Sequence, residues 1–287
     1  MGEAVPLRSP LGAAATLFRG GPTSDTLVVS YYPVGGNDRN TGPRYAQEAR
    51  LTGFDVLGIT RVGTNTCRPS PGLRRRLAPG SFDAWCARAA STLAAVCRDY
   101  RYVVLRGQST GAFPALGVAR TGLLPVTHLL VEDGVNTRRT RRGRLRGPVT
   151  ARLDWLRYLR EERRGMRQPP RDDWTRPDAQ PAPRRGTVWF AVEQYHWAPL
   201  WRSAWGADSL VQIVRDQPDL PVLVKCLGHT ALSTRAEVDD LRRALQLARD
   251  GGAAPCRLDF DPDAWHAFLV YAEYGAVNLR EVRELHP

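Results

Sequence analysis

The sequence predicts an α/β domain in which a mostly parallel sheet is covered by helices on both faces and one cap is inserted. Short runs rich in Val, Leu, Ile and Tyr alternate with helical stretches along most of the chain. The 287 residues, 43% of them apolar, suffice for one large cored domain and fall a little short of two. The alternation breaks once, and most of the net charge sits in the break.

In chain order, two weak runs near Ala4–Leu7 and Ala14–Phe18 suit an antiparallel hairpin at one edge of the sheet. Apolar strands follow at Thr26–Pro33, Asp55–Arg61, Tyr102–Gln108 and Val126–Glu132. After the break the pattern resumes with a strand at Leu220–Leu227, an amphipathic helix at Arg235–Arg249, a strand at Cys256–Phe260 and a helix from about Ala264 to Glu281. Strands that alternate with helices imply parallel pairing, because each crossover helix must bury its apolar face on the sheet. The expected division is a core of residues 1–133 and 219–287, with residues 134–218 as a basic, Trp-rich cap.

The formal charge is +12, and Lys225 is the one lysine in the chain. Between Gly134 and Gly186 stand sixteen arginines against six Asp or Glu, so 16 − 6 = +10 of the total lies in that segment. A nucleic-acid binder basic over its whole surface would not divide its charge this way; a near-neutral body with a basic insertion would. The segment opens with Arg138, Arg139, Arg141, Arg142, Arg144 and Arg146, suits a helix over 151–164, and then passes five prolines that favour loop. Six of the eight tryptophans lie between 134 and 218; Trp197, Trp201 and Trp205 share one helical face, which suits the cap's own packing or an acyl pocket.

The cysteines, Cys67, Cys86, Cys97, Cys226 and Cys256, are odd in number and widely spaced, which disfavours both a zinc site and a disulfide framework. No run of apolar residues is long enough to span a bilayer, and the first eighteen residues lack the apolar stretch of a signal peptide. The expectation is a cytoplasmic protein with reduced thiols, no metal and no cofactor.

Gly107-Gln108-Ser109-Thr110-Gly111 matches Gly-x-Ser-x-Gly. The bare pattern is weak, so its setting decides. Tyr102-Val103-Val104-Leu105 before it reads as a strand and Ala112–Ala119 after it as a helix. A serine on a sharp strand-to-helix turn needs small neighbours, because its backbone is strained and the helix must approach the sheet closely. The helix N-terminus also sets partial positive charge under a developing oxyanion.

With this elbow, its place in the strand order and an insertion after the next strand, the chain resembles the α/β-hydrolase superfamily from about Ala4 to Glu281. The resemblance implies Ser109 as nucleophile, in the chain order Ser, acid, His. It implies a histidine on the loop after the last strand, where Asp263-Ala264-Trp265-His266 supplies His266; the bland alternative is a helix-start histidine partnered by Asp263. His229, His128, His196 and His286 are weaker candidates.

The acid commonly follows the strand that here is Leu220–Leu227, yet Gly228-His229-Thr230-Ala231 holds no carboxylate. A second arrangement in the family puts it one strand earlier, at Leu130-Val131-Glu132-Asp133-Gly134. Asp133 is the expected acid and Glu132 the alternative, while an Asp-Gly pair is also an ordinary turn signal. A Ser-His dyad, or a cap carboxylate such as Glu193 or Asp208, stays open. The oxyanion hole is expected from the backbone of Thr110 and of Val34 or Gly35, in a loop that also suits a plain turn.

The implied activity is cleavage of a small-molecule carboxylic ester or thioester through an acyl-enzyme. The alternatives are a non-catalytic binding protein of the same fold and a nucleic-acid-associated protein. Arg138–Arg146 suit an anionic substrate, an acidic surface or nucleic acid, and equally a solvated loop.

Overall fold

The computed structural model describes residues 3–5, 15–33, 41–60, 81–134, 207–230, 233–252 and 254–285, with 160, 163–165, 167 and 174 from the intervening segment. Among these residues eight strands form one sheet: β1 (Glu3–Val5), β2 (Ala15–Phe18), β3 (Thr26–Tyr31), β4 (Asp55–Ile59), β5 (Tyr102–Gln108), β6 (His128–Glu132), β7 (Val222–His229) and β8 (Cys256–Trp265). Their order across the sheet is β1-β2-β4-β3-β5-β6-β7-β8. β2 pairs antiparallel with both β1 and β4, and every pairing from β4 to β8 is parallel. The edge hairpin, the parallel centre and the helical cover agree with the expected class.

Among the described residues six helices of nine residues or more flank the sheet: α1 (Gly42–Thr52), α2 (Ser81–Cys97), α3 (Ala112–Arg120), α4 (Ala207–Asp216), α5 (Arg235–Arg249) and α6 (Ala272–Arg283). Local sequence sets their ends. Thr234 and Glu237 form a reciprocal capping box at the start of α5, and Gly53 ends α1 in the left-handed conformation that glycine adopts without a Cβ penalty.

Strand alternation divides the core in two. Leu27, Val29, Tyr31, Val103, Leu105, Leu129, Val131, Val222 and Val224 point to one face, where buried side chains of α2, α3, α4 and α5 cover them. Val28, Val104, Leu130 and Leu223 point to the other, packed with Tyr45 and Ala49 of α1 and Leu279 and Val282 of α6.

Two expectations change. Residues 207–216, which the sequence reading gives to the cap, form α4, whose Leu210, Ile213 and Val214 are buried in the main core beside α3 and α5. The β6-to-β7 crossover helix therefore lies inside the range assigned to the insertion. The last helix also starts later than residue 264. β8 continues past Phe260 because Asp261 and Trp265 still pair with Leu227 and His229 of β7, so the turn His266–Val270 is a 3₁₀ turn and α6 begins at Ala272. The basic run Arg138–Arg146 and the residues Trp197, Trp201 and Trp205 lie outside the described residues. Among the described residues no helix is long and apolar enough to cross a membrane.

Candidate active site at the C-terminal ends of β5, β6 and β8

Ser109 follows β5 directly, in a 3₁₀ turn that runs into α3. Its φ is +49°, in the left-handed region that a side chain occupies at a cost. Both glycines of the motif are required sterically. A Cβ on Gly107 would lie 2.6 Å from Ala112 Cα, and one on Gly111 would collide with the Tyr31 carbonyl oxygen. α3 can thus lie close on the sheet only if both positions lack a side chain.

Asp133 follows β6, and its φ, +41°, is the other positive value at a non-glycine among the described residues. The β5 and β6 ends are in register, Gln108 beside Glu132, so Ser109 and Asp133 leave adjacent strands at one level. The Asp133 N–H donates to Lys225 O at 2.7 Å, tying the residue to β7. Gly134 then packs on the serine turn, where a Cβ would come 2.7 Å from Ser109 O and would also meet Ala112 Cβ.

His266 opens the 3₁₀ turn after β8, and its Nδ1 is hydrogen-bonded to Asp133 Oδ2. A carboxylate only accepts, so this bond keeps a proton on Nδ1 and makes Nε2 the basic nitrogen. Both side chains are buried, at 8% and 2% exposure, which strengthens the interaction over one in bulk water. The histidine turn is also fixed to the serine strand, because Gln108 Nε2 donates to Leu269 O at 3.1 Å. His266 does begin a 3₁₀ turn, but the carboxylate at its Nδ1 is that of Asp133, while Asp263 is exposed.

The other candidates lie elsewhere. Glu132, the alternative acid, sits on the opposite strand face. Its Oε2 accepts from Arg106 Nε at 2.6 Å and its Oε1 from Asn278 Nδ2 at 2.7 Å, so it does not stand in for Asp133 at the imidazole. His229 stacks on Trp265, ring centroids 4.2 Å apart, and His128 bonds Thr127 Oγ1 and Leu285 O. At the tip of β7, Gly228 must lack a side chain, because a Cβ there would lie 2.7 Å from Pro262 Cα. Asp208 is exposed on α4. Thr110 is buried at the start of the serine turn, while Val34 and Gly35, and likewise Glu193, His196 and His286, lie outside the described residues.

Sequence reasoning overlooked a buried ionic chain beneath the histidine turn. Arg106 lies on β5 with no exposed surface; its Nη1 donates to Glu48 Oε2 at 2.6 Å and its Nε to Glu132. Burial opposes its charge, but the carboxylates of Glu132 and Glu48 outweigh burial and raise the guanidinium pKa well above its ordinary value. Glu48 also pairs with Arg44 Nε at 3.1 Å, and Arg44 Nη1 donates to Leu269 O. The signal was available: an arginine in a buried parallel strand, beside a strand ending in glutamate, must be paired.

Two described residues of the segment between β6 and α4 touch the same turn. Gly165 lies against Ala267 and Trp265, and the Trp174 ring packs on Phe268, Tyr271 and Tyr274 at 5.4, 5.4 and 5.8 Å between centroids. Burial first, then the charge of nearby Asp133, push the Cys226 thiol pKa up, which disfavours the reactive thiolate there. Among the described residues no cluster of His, Cys, Asp and Glu could hold a metal ion.

No family model and no curated protein sequence matches the chain. Its structure resembles solved ones. A membrane phospholipase A described as a bacterial virulence factor aligns with TM-score 0.63 and 16% identity over 99% of this chain and 87% of its own. A lipase-esterase related protein from Clostridium acetobutylicum aligns with TM-score 0.59 and 13% identity over 94% and 99%. A thioesterase domain solved with a bound dodecadepsipeptide aligns with TM-score 0.52 and 16% identity over 94% and 98%. With its strand order, the one reversed strand among the described residues and these likenesses over nearly the full length, the chain has the α/β-hydrolase fold.

Proposed function

We propose that the protein is a cofactor-independent serine hydrolase of carboxylic esters or thioesters, with Ser109 as nucleophile, His266 as general base and acid, and Asp133 as the acid that orients the imidazole. The observation that carries this reading is the buried Asp133–His266 hydrogen bond, held at the level of the strained Ser109 turn by neighbouring strands. Two non-glycine residues with positive φ, both at this one rim, are the kind of backbone strain that functional sites accumulate. The names of the structural neighbours, phospholipase, lipase-esterase and thioesterase, support the substrate class.

In the forward half-reaction Ser109 Oγ bonds to the acyl carbonyl carbon while its proton passes to His266 Nε2. The oxyanion is stabilised by the N–H of Thr110, at the positive end of α3, and by a second N–H from Val34 or Gly35. Collapse expels the alcohol or thiol, which takes the proton from His266. Water, deprotonated by Nε2, then attacks the acyl-serine carbonyl; a carboxylic acid leaves and the proton returns to Ser109 Oγ. Throughout, Asp133 favours the imidazolium over neutral imidazole.

Further parts of the reading are that the enzyme is cytoplasmic, that its partner is the small acyl substrate, and that residues 134–218, apart from α4, act as a cap over the site. A fluorophosphonate probe on the full chain is expected to label Ser109, with labelling lost in Ser109→Ala and turnover of p-nitrophenyl esters lost in parallel. A wild-type protein that is folded yet neither labelled nor active would sink the proposal and leave a binding protein of this fold.

A further inference from the structure

Four buried charges, Arg44, Glu48, Arg106 and Glu132, form one chain between α1, β5 and β6, and Arg106 and Glu48 have no exposed side-chain surface. Stability alone is a poor reason for such a chain, since replacing a buried ion pair with apolar side chains of similar volume is often neutral or stabilising. What the chain touches points to another role. Its Arg44 end donates to the carbonyl of Leu269, and Gln108 Nε2, 3.5 Å from Glu132 Oε2, donates to that same carbonyl. Leu269 lies in the 3₁₀ turn that His266 opens, and Gln108 directly precedes Ser109. Both donors are buried.

We propose that Gln108 and Arg44 are positioning residues for His266: donating together to Leu269 O, they set the height of the imidazole above the end of β5. The ionic chain keeps the two donors in place. Arg106 is held from both sides by Glu48 and Glu132, Glu48 holds Arg44, and Glu132 is held in turn by Asn278 of α6. Gly275 leaves room for the arrangement, because a Cβ there would lie 2.7 Å from Arg106 Nη2 and collide with Glu48 Oε1. β5 thus leads directly into the turn of the nucleophile and carries, on its last residue, a strut that fixes the base.

The inference rests on the hydrolase reading, and its test separates the two. Gln108→Leu removes one donor at similar volume; Arg44→Lys keeps a cation beside Glu48 while losing the reach to Leu269 O. In each, kcat for a p-nitrophenyl ester is expected to fall about tenfold to a hundredfold with KM within about twofold, as misplacement of a catalytic group produces. The rate of fluorophosphonate labelling should fall in the same ratio. Independently of turnover, the Nδ1–H proton resonance of His266, identified by its change in Asp133→Asn, should shift or broaden in both variants.

Wild-type kcat and an unchanged Nδ1–H resonance in both variants, with only a lowered Tm, would overturn the positioning role. If Gln108→Leu does not fold, Arg44→Lys decides alone. If the wild-type protein is never labelled, the hydrolase reading fails, and the resonance still decides whether these donors position His266.

Discussion

On β5, Val103 and Leu105 point into an apolar layer under α2 to α5, whereas Val104, Arg106 and Gln108 point the other way, toward α1 and α6, where a layer of paired charges stands beside a smaller apolar cluster. The same split recurs on β6, where Leu129 and Val131 face one side and Glu132 the other. The apolar layer works by area: burial of large side chains is non-directional and tolerates volume-conserving change. The charged layer works by direction, because each guanidinium and carboxylate has a fixed set of partners. The directional layer lies beneath the histidine turn, where the proposed chemistry needs precise placement.

The strongest way to sharpen this contrast is a pair of neighbouring substitutions. Asp133→Asn is expected to lower kcat by roughly 10⁴-fold, because the imidazole loses its orienting acceptor, while leaving Tm close to wild type. Glu132→Gln, one residue earlier on the charged side, should act chiefly on Tm, read by calorimetry; equal losses of kcat in the two would erase the distinction.

Next in size is Arg106→Met, which strands Glu48 and Glu132 in the interior. The expected loss is about 3–5 kcal/mol in urea unfolding, much of it recovered when both glutamates are changed to glutamine as well. On the apolar side, Leu105→Ala should cost about 3 kcal/mol through a cavity, with no recovery from any charge change. The smallest effect has the opposite sign. Ser109→Gly relieves the +49° φ and should stabilise the fold by about 1 kcal/mol while abolishing probe labelling. A drop in Tm there would show that the turn is unstrained.

The parts of the fold and site legible in the sequence are those fixed by short stretches or by chain order. The strand run Tyr102–Arg106 followed by Gly-Gln-Ser-Thr-Gly is a local pattern, and the β5 turn lies where it indicates. The contact of Asp133 with His266 spans 133 residues, yet a bare β7 tip and an Asp at the end of β6 direct attention to it. The start of α6 was misread because apolar periodicity resumes at Ala264, while β8 is prolonged by pairing with β7, a tertiary effect. The charged layer was missed because Arg44 and Glu48 resemble an ordinary i,i+4 surface pair of a helix; only the approach of β5 and α6 buries them.

Asp133 and Gly134 follow β6 and lead into the segment proposed as the cap, so on that reading the carboxylate proposed to orient His266 stands at the junction of the two. In hydrolases whose acid follows the next strand, an insertion here could be exchanged without touching the catalytic residues. In this chain a graft or excision must keep its upstream junction beyond Gly134, whose bare backbone rests on Ser109 and Ala112. On the proposed reading, tension in a newly grafted segment would reach the imidazole through the Asp133–His266 hydrogen bond, so modular exchange there would bear on catalysis as well as on specificity.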